Sequence, residues 1–315
     1  MELVWTHLVA PLAVLVGTLK LIVLAYSALC AIWRQCLRRK PDLLKRYGGA
    51  GTWALVTGAS DGIGLEYCRQ LARDGFNICL VSRTQSKLQA AVDSELSSFG
   101  VKTKIVVADF THNARTSFYD DIMRQVEDLD IGLVVLNAGV SNSGYISEID
   151  IAELEQTLDV NVYQYSLLTH KIAKKLESRQ AEQSGLVLIS SVAAELPGAV
   201  GFVTYGASKV FVKYLCMSMD YEQSADSGQR RSKIDVQCLQ PGYVRTKLIN
   251  QAEKKGLTFA VIPVEQCVGA SLRDLGSEVC TYGPLIHEAV GCGLGTVWKY
   301  LASYINRRPS SKRPR

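Results

Sequence analysis

The stretch "TWALVTGASDGIGLEY", residues 52–67, joins an apolar β-type run to a helical pattern through a turn rich in glycine. Gly58, Gly62 and Gly64 stand in a G-x-x-x-G-x-G spacing at that junction. A glycine-rich turn is weak evidence by itself. Placed after a strand and at the opening of a helix, it lets the backbone turn tightly and approach a pyrophosphate, while the helix N-terminus favours negative charge. This stretch therefore predicts the first strand–turn–helix unit of a dinucleotide-binding domain.

The pattern repeats outward. "NICLVSR" (77–83), "KIVVADF" (104–110), "GLVVLNAG" (132–139), "GLVLISS" (185–191) and "IDVQCLQPG" (234–242) are apolar on both faces, as in strands covered on both sides. Between most of them lie helical patterns such as "SKLQAAVDSELSSFG" (86–100). The alternation predicts an α/β domain of the Rossmann type, a doubly wound parallel sheet with helices on both faces and its ligands at the C-terminal strand ends. Arg83 closes the second run, 19 residues beyond Gly64. An acidic residue there would bond a ribose 2′-hydroxyl, whereas an arginine meets a 2′-phosphate, which points to NADPH over NADH.

Ahead of this domain, "LVAPLAVLVGTLKLIVLAYSALCAIW" (8–33) is almost continuously apolar and, as a helix, would be about 39 Å long, enough to cross a bilayer. A cleaved signal peptide fits poorly, because the start carries Glu2 and no basic residue. Lys20 interrupts the run, so a single span with a snorkelling lysine and a re-entrant pair of half-helices are both open. Six basic residues from Arg34 to Arg46 favour a cytosolic location for the chain beyond them. The predicted organisation is a membrane anchor over 1–34, a basic linker over 35–50, the Rossmann domain over 51–290, and a C-terminal helix with a basic tail over 291–315.

The 315 residues carry a net charge of +5, concentrated in the linker and the tail. Neither cluster is interleaved with stacking aromatics, so a membrane surface suits both better than nucleic acid, and no nucleic-acid partner is expected. The nine cysteines form no C-x-x-C pair and read as reduced core thiols, and the four histidines are dispersed. No metal is assigned.

Tyr205 and Lys209, in "YGASK", are four residues apart, so on a helix they share one face at roughly 5–6 Å between Cβ atoms. With this pair added, the chain resembles the short-chain dehydrogenase/reductases over about residues 50–250. "TGASDGIG" (57–64), Asp109 in "VADF", "NAG" (137–139), Asn161 in "LDVNVY", "YGASK" (205–209) and "PGYVRT" (241–246) match that family's motifs in order. The resemblance implies that Tyr205 is the proton donor, that Lys209 tunes it, that Asn161 continues a water-linked proton route, and that a serine orients the carbonyl. It further implies that Gly58, Ser60, Asp61, Gly62, Ile63, Gly64, Arg83, Asp109, Asn137, Ala138, Gly139, Tyr205, Lys209, Pro241, Gly242, Val244 and Thr246 border the cofactor, NADPH or NADP+. A lysine beside Tyr205 would lower the phenol from its usual value near 10.

The serine is the departure from the pattern. The family's serine stands one residue closer to the tyrosine, where this chain has Val192; Ser191 and Ser190 lie 14 and 15 residues before Tyr205. One extra residue in the following loop favours Ser191, and alternation along a strand end lets only one of the two face the site.

"WALVTGASDGIG", "LVSRTQSKL", "DLDIGLVVLNAG", "YGASKVFV" and "TYGPLIH" are most similar to the membrane-bound 17β-hydroxysteroid dehydrogenase and very-long-chain 3-oxoacyl-CoA reductase branch. That likeness implies a lipid-type substrate, an endoplasmic reticulum membrane with the catalytic domain facing the cytosol, and either self-association or a place in a fatty-acid elongation complex. Lys312–Arg315 resembles a dilysine retrieval signal only loosely. A 3-ketosphinganine reductase and a catalytically silent lipid-binding member are the alternatives; intact Tyr205, Lys209 and Asn161 argue against the second. "GLTFAVIP" (256–263) suits either a lipid channel or a buried helix, and residues 287–305 either a membrane-lying or a packed helix.

Overall fold

The computed structural model describes residues 7, 9–111, 116–181, 183–196, 198, 201–226, 233–246 and 261–288. The chain divides into two units, Met1–Arg39 and Lys40–Arg315. The first contains α1, Ala10–Cys36, a 27-residue helix with Pro11 in its first turn and Arg34 in its last. It is the one helix among the described residues long and apolar enough to cross a membrane, by length and composition.

The second unit is built on a seven-stranded, wholly parallel sheet: β1 (Trp53–Thr57), β2 (Asn77–Ser82), β3 (Thr103–Val107), β4 (Ile131–Leu136), β5 (Ser184–Ile189), β6 (Ile234–Leu239) and β7 (Cys280–Thr281). The spatial order is β3-β2-β1-β4-β5-β6-β7, which reverses direction between β1 and β4. A crevice at such a reversal, beyond the C-terminal strand ends, is where doubly wound sheets bind ligands. Every residue of β4 and β5 is buried, as expected of central strands sandwiched between helical layers.

The helices of this unit are α2 (Leu43–Arg46), α3 (Gly62–Arg73), α4 (Gln85–Ala91), α5 (Thr116–Gln125), α6 (Ile151–Leu158), α7 (Gln164–Glu177), α8 (Val203–Asp226), α9 (Val264–Asp274) and α10 (Leu285–Glu288). Strand alternation sends side chains to two cores. Ala54 and Val56 of β1 join Tyr67 and Leu71 of α3, Leu88 of α4 and Val268 of α9 on one face. Leu55 joins Tyr119 of α5, Tyr165 and Leu168 of α7 and Val212 of α8 on the other.

The compact unit begins at Lys40, ahead of the expected domain start at residue 51. Leu43 and Tyr47, inside the segment expected to be a linker, are buried. Arg46 Nε and the Tyr47 hydroxyl donate to Asp235 at 2.6 and 2.9 Å, which fastens this segment to the start of β6. Residues 247–260, with most of "GLTFAVIP", and residues 289–315, with the expected C-terminal helix and basic tail, lie outside the described residues.

Candidate active site

The glycine turn is forced by sterics at two positions. Gly58 has φ +65°, and a Cβ on Gly64 would lie 2.3 Å from the Gly58 carbonyl oxygen. Only glycine allows the helix to start this close to the strand that precedes it. Asp61 caps α3 by accepting the Gly62 N–H at 2.8 Å, and a cavity of about 310 Å³ opens there, lined by Asp61, Gly62, Leu65, Arg245 and Thr246. It sits at the helix N-terminus, the phosphate end of such a site, away from Tyr205. The turn and the helix start fit the phosphate portion of a dinucleotide.

The other predicted cofactor neighbours fall at or just past the ends of successive strands. Ser60 and Ser82 share a hydroxyl–hydroxyl hydrogen bond of 3.2 Å, Ile63 packs against the core, and Val244 is buried and bridges to Ile262. Arg83 is exposed after β2 and forms no ion pair with another described residue. Asp109, after β3, accepts the Thr111 N–H and hydroxyl at 3.0 and 2.5 Å. Asn137 turns its side chain inward and donates to the Thr57 carbonyl at 3.0 Å. The buried hydroxyl of Thr57 in turn accepts the N–H groups of Asn137 and Ala138 at 2.9 and 3.0 Å. Thr57 is thus the tie between the glycine turn and the NAG segment. Thr57 opens the TGASDGIG motif, yet the resemblance assigns it no role; its place at the end of β1 was the available signal.

Asn161 is fully buried in a π-helical turn, Asp159–Tyr163, between α6 and α7. Its amide clamps Val140 from both sides, accepting the Val140 N–H at 2.9 Å and donating to the Val140 carbonyl at 2.8 Å. It also donates to the Ser208 hydroxyl at 3.1 Å, which donates to the Tyr205 carbonyl at 2.7 Å. This chain of bonds fixes the NAG segment against the helix that carries Tyr205. Gly139 completes the fit, since a Cβ there would stand 3.4 Å from both Asn161 Oδ1 and Lys209 Nζ.

Tyr205 and Lys209 both lie on α8, which begins at Val203. Ser190 and Ser191 diverge, as strand alternation requires. The Ser190 hydroxyl donates to the Lys209 carbonyl at 2.6 Å, while the Ser191 hydroxyl accepts the Ala193 N–H at 3.1 Å and stands beside the Tyr205 phenol, whose ionisation it favours. Lys209 Nζ donates to the Ile189 carbonyl at 3.0 Å and lies 5.6 Å and 5.7 Å from the ring centroids of Tyr165 and Tyr205.

The electrostatics differ from the sequence expectation in one respect. Burial pushes the Tyr205 phenol above its ordinary value, opposed by the neighbouring Ser191 hydroxyl. Lys209 is itself pushed down to about 8 by burial. At equilibrium the lysine therefore loses its proton before Tyr205 ionises, so the resting phenol titrates beside a neutral amine. Around neutral pH, below that value, Lys209 keeps its proton.

The short chain dehydrogenase family model matches residues 52–256. A very-long-chain 3-oxoacyl-CoA reductase of Anas platyrhynchos is 34% identical over 248 residues, 77% of this chain and 75% of that protein. A 17-beta-hydroxysteroid dehydrogenase type 3 of Mus musculus is 33% identical over 277 residues, 84% of this chain and 85% of that protein. Among solved structures, a short-chain dehydrogenase from Sphingobium yanoikuyae in complex with NADPH aligns with a TM-score of 0.64 at 29% identity, covering 84% of this chain and 100% of that one.

Proposed function

The chain belongs to the short-chain dehydrogenase family, and from that premise we propose that it uses NADPH to reduce the ketone of a membrane-derived lipid, either a very-long-chain 3-oxoacyl-CoA or a 17-ketosteroid. The observation that carries the reading is the convergence of Ser191, Tyr205 and Lys209 beyond β5, with Asn161 bracing the same helix.

Reduction of a ketone needs a hydride at carbon and a proton at oxygen. A bound reduced nicotinamide supplies the hydride. Tyr205 donates the proton, and the Ser191 hydroxyl orients the carbonyl and shares the charge that develops on its oxygen. Losing that proton leaves a buried phenolate, which desolvation opposes. A unit charge at the 5.7 Å separating Lys209 Nζ from the Tyr205 ring returns about 3 kcal/mol at an effective dielectric of about 20, more than one hydrogen bond contributes. The ammonium of Lys209 is therefore the main counterweight to burial.

The cofactor residues are those gathered at the strand ends. Gly58, Ser60, Asp61, Gly62, Ile63 and Gly64 form the pyrophosphate turn, and Arg83 meets the 2′-phosphate. Asp109 would contact the adenine, Asn137, Ala138 and Gly139 would line the cofactor after β4, and Pro241, Gly242, Val244 and Thr246 would border the nicotinamide. Helix α1 and the basic residues after it support an endoplasmic reticulum anchor with the catalytic unit in the cytosol. An acyl-CoA substrate would place the enzyme beside the condensing and dehydrating steps of chain elongation.

The test is NADPH oxidation by the detergent-solubilised full chain, with long-chain 3-oxoacyl-CoAs, oestrone and androstenedione as acceptors. Turnover with one class selects it. Turnover with none overturns the substrate reading.

A further inference from the structure

The segment "TYGPLIH" (281–287) has no part in the chemistry above, yet it folds into a brace against the site. Thr281 extends β7: its carbonyl accepts the Gln240 N–H at 2.8 Å, and its hydroxyl donates to Asp274 at 2.8 Å. The Gly283 N–H returns to the Thr281 hydroxyl at 3.0 Å, with Gly283 at φ +79°, and the chain turns into the short helix α10. There the Pro284 carbonyl accepts the His287 N–H at 2.9 Å.

This fold delivers His287, only 1% exposed, to the backbone of Gly242. His287 Nδ1 accepts the Gly242 N–H at 3.1 Å. The ring is packed so closely that a Cβ on Gly242 would stand 2.8 Å from His287 Cδ2. Gly242 is consequently held by both a hydrogen bond and a wall. The preceding residue, Pro241, accepts the Val192 N–H at 3.0 Å, so the same loop is tied to the residue after Ser191. A second tie runs parallel: Glu195 accepts from Gln240 at 2.7 Å, pairs with Lys213 of α8, and bonds Tyr282.

We propose that His287 is a positioning residue for the nicotinamide end of the site, holding Gly242, and through Pro241 the Ser191 loop, in the geometry that binds the cofactor. This rests on the proposed placement of Pro241 and Gly242 beside the nicotinamide. The imidazole presents Nδ1 as an acceptor, which requires the tautomer protonated at Nε2. The role belongs to one ring nitrogen, not to ring bulk alone.

The experiment measures NADPH dissociation constants by fluorescence on the full-length, detergent-solubilised protein, beside its melting temperature. His287→Phe keeps a flat ring but removes the acceptor; His287→Asn places an amide oxygen at the Nδ1 position. Loss of one buried hydrogen bond predicts NADPH binding weaker by about tenfold for His287→Phe, with His287→Asn within about threefold of wild type. A fall in melting temperature alone, with NADPH binding unchanged in His287→Phe, would overturn the proposal. So would equal impairment of the Phe and Asn variants. Where His287→Phe fails to fold, Gly242→Ala approaches the contact from the other side: its methyl weakens NADPH binding, and adding His287→Ala relieves part of that loss. Additive losses in the double variant overturn the proposal. Wild-type protein that does not bind NADPH defeats the cofactor reading itself, and wild-type protein that binds NADPH but reduces no ketone defeats only the substrate reading.

Discussion

Arg179, at the N-terminal ends of the strands, and Lys209, at their C-terminal ends, are both buried cations, and their surroundings differ sharply. Arg179 Nε and Nη2 donate to the two Asp130 oxygens at 2.8 and 3.0 Å, and the guanidinium also reaches the Tyr47 carbonyl, the Gln183 carbonyl and the Ser184 hydroxyl at 3.0, 3.3 and 3.0 Å. In return it holds the Asp130 carboxyl below the usual range. Among the described residues the Lys209 ammonium makes one hydrogen bond, to the Ile189 carbonyl, and otherwise faces two aromatic rings, with burial driving it down to about 8. A cation supplied with acceptors locks the Tyr47 segment to the starts of β4 and β5. A cation denied a carboxylate is left reactive, and the fold tolerates it because the opposite edge is so well tied.

If that division holds, the two edges should separate activity from stability. The largest effect belongs to Tyr205→Phe, which removes the proton donor while leaving the ring in place. Turnover should fall by about a thousandfold or more, within the range of lost general-acid catalysis, while NADPH binding and the melting temperature change little. Steady-state rates beside fluorescence titration check this; retained turnover would refute the proton-donor role.

The reverse pattern is expected at the other edge. Arg179→Ala strips acceptors at Tyr47, Gln183 and Ser184 of their donor and opens space against the buried Tyr47 segment. Denaturant unfolding of the catalytic unit should lose about 3 kcal/mol. The folded fraction should keep its kcat within about twofold. A variant that unfolds normally but turns over poorly would break the comparison.

Lys209 itself offers the test that links the two edges. Its folded value near 8 lies below the ordinary 10.5, so between those pH values the unfolded chain binds more protons than the folded one. Stability should therefore rise with pH across that window, and below about 8 the buried charge exacts its full cost of about 3 kcal/mol. Lys209→Met removes the charge at similar volume, and the Ile189 carbonyl keeps a share of the Tyr165 hydroxyl proton at 3.1 Å, which also reaches the Leu136 carbonyl at 2.9 Å. The variant should be inactive yet more stable at pH 7 by about 1–2 kcal/mol, with a flatter stability profile between pH 8 and 10.5. A less stable variant at pH 7 would show that Lys209 is not a liability to the fold.

Much of the fold and of the site is legible in the chain's local pattern, and the parts that are hidden share a cause. The six longer strands announce themselves by β-branched runs, but the expected ends overrun: the runs read from the sequence carry on through "NAG" and "QPG", whereas the ladder stops at Leu136 and Leu239, where the polar and turn-forming residues begin. β7 has two residues, too few for periodicity to register. Tyr47 and Arg46 read as part of a basic linker because their partner, Asp235, lies 188 and 189 residues away. The π-helical turn around Asn161 leaves no mark on composition, and His287 is joined to a backbone N–H, which carries no sequence signal at all. The choice between adjacent serines likewise rests on partners supplied by α8. Local pattern reveals elements and motifs; contacts to distant backbone do not appear in it.

The smallest expected effect concerns a third cation, Arg83, which sharpens the contrast with Arg179. Arg83 stands exposed beyond β2, with no ion pair to another described residue, so the fold asks nothing of it. Its guanidinium is available to a 2′-phosphate as a charge-assisted, forked donor. Arg83→Asp reverses that charge and supplies an acceptor suited to a ribose 2′-hydroxyl. The ratio of kcat/KM for NADPH over NADH should drop by about tenfold, equivalent to about 1.4 kcal/mol, with the melting temperature unmoved. Arg179→Ala should leave that ratio alone, because its guanidinium works within the fold at the far ends of the strands. Initial rates with both cofactors decide it: an unchanged ratio in Arg83→Asp would mean that some other group reads the phosphate, and that exposure beyond β2 is not what reserves Arg83 for the cofactor.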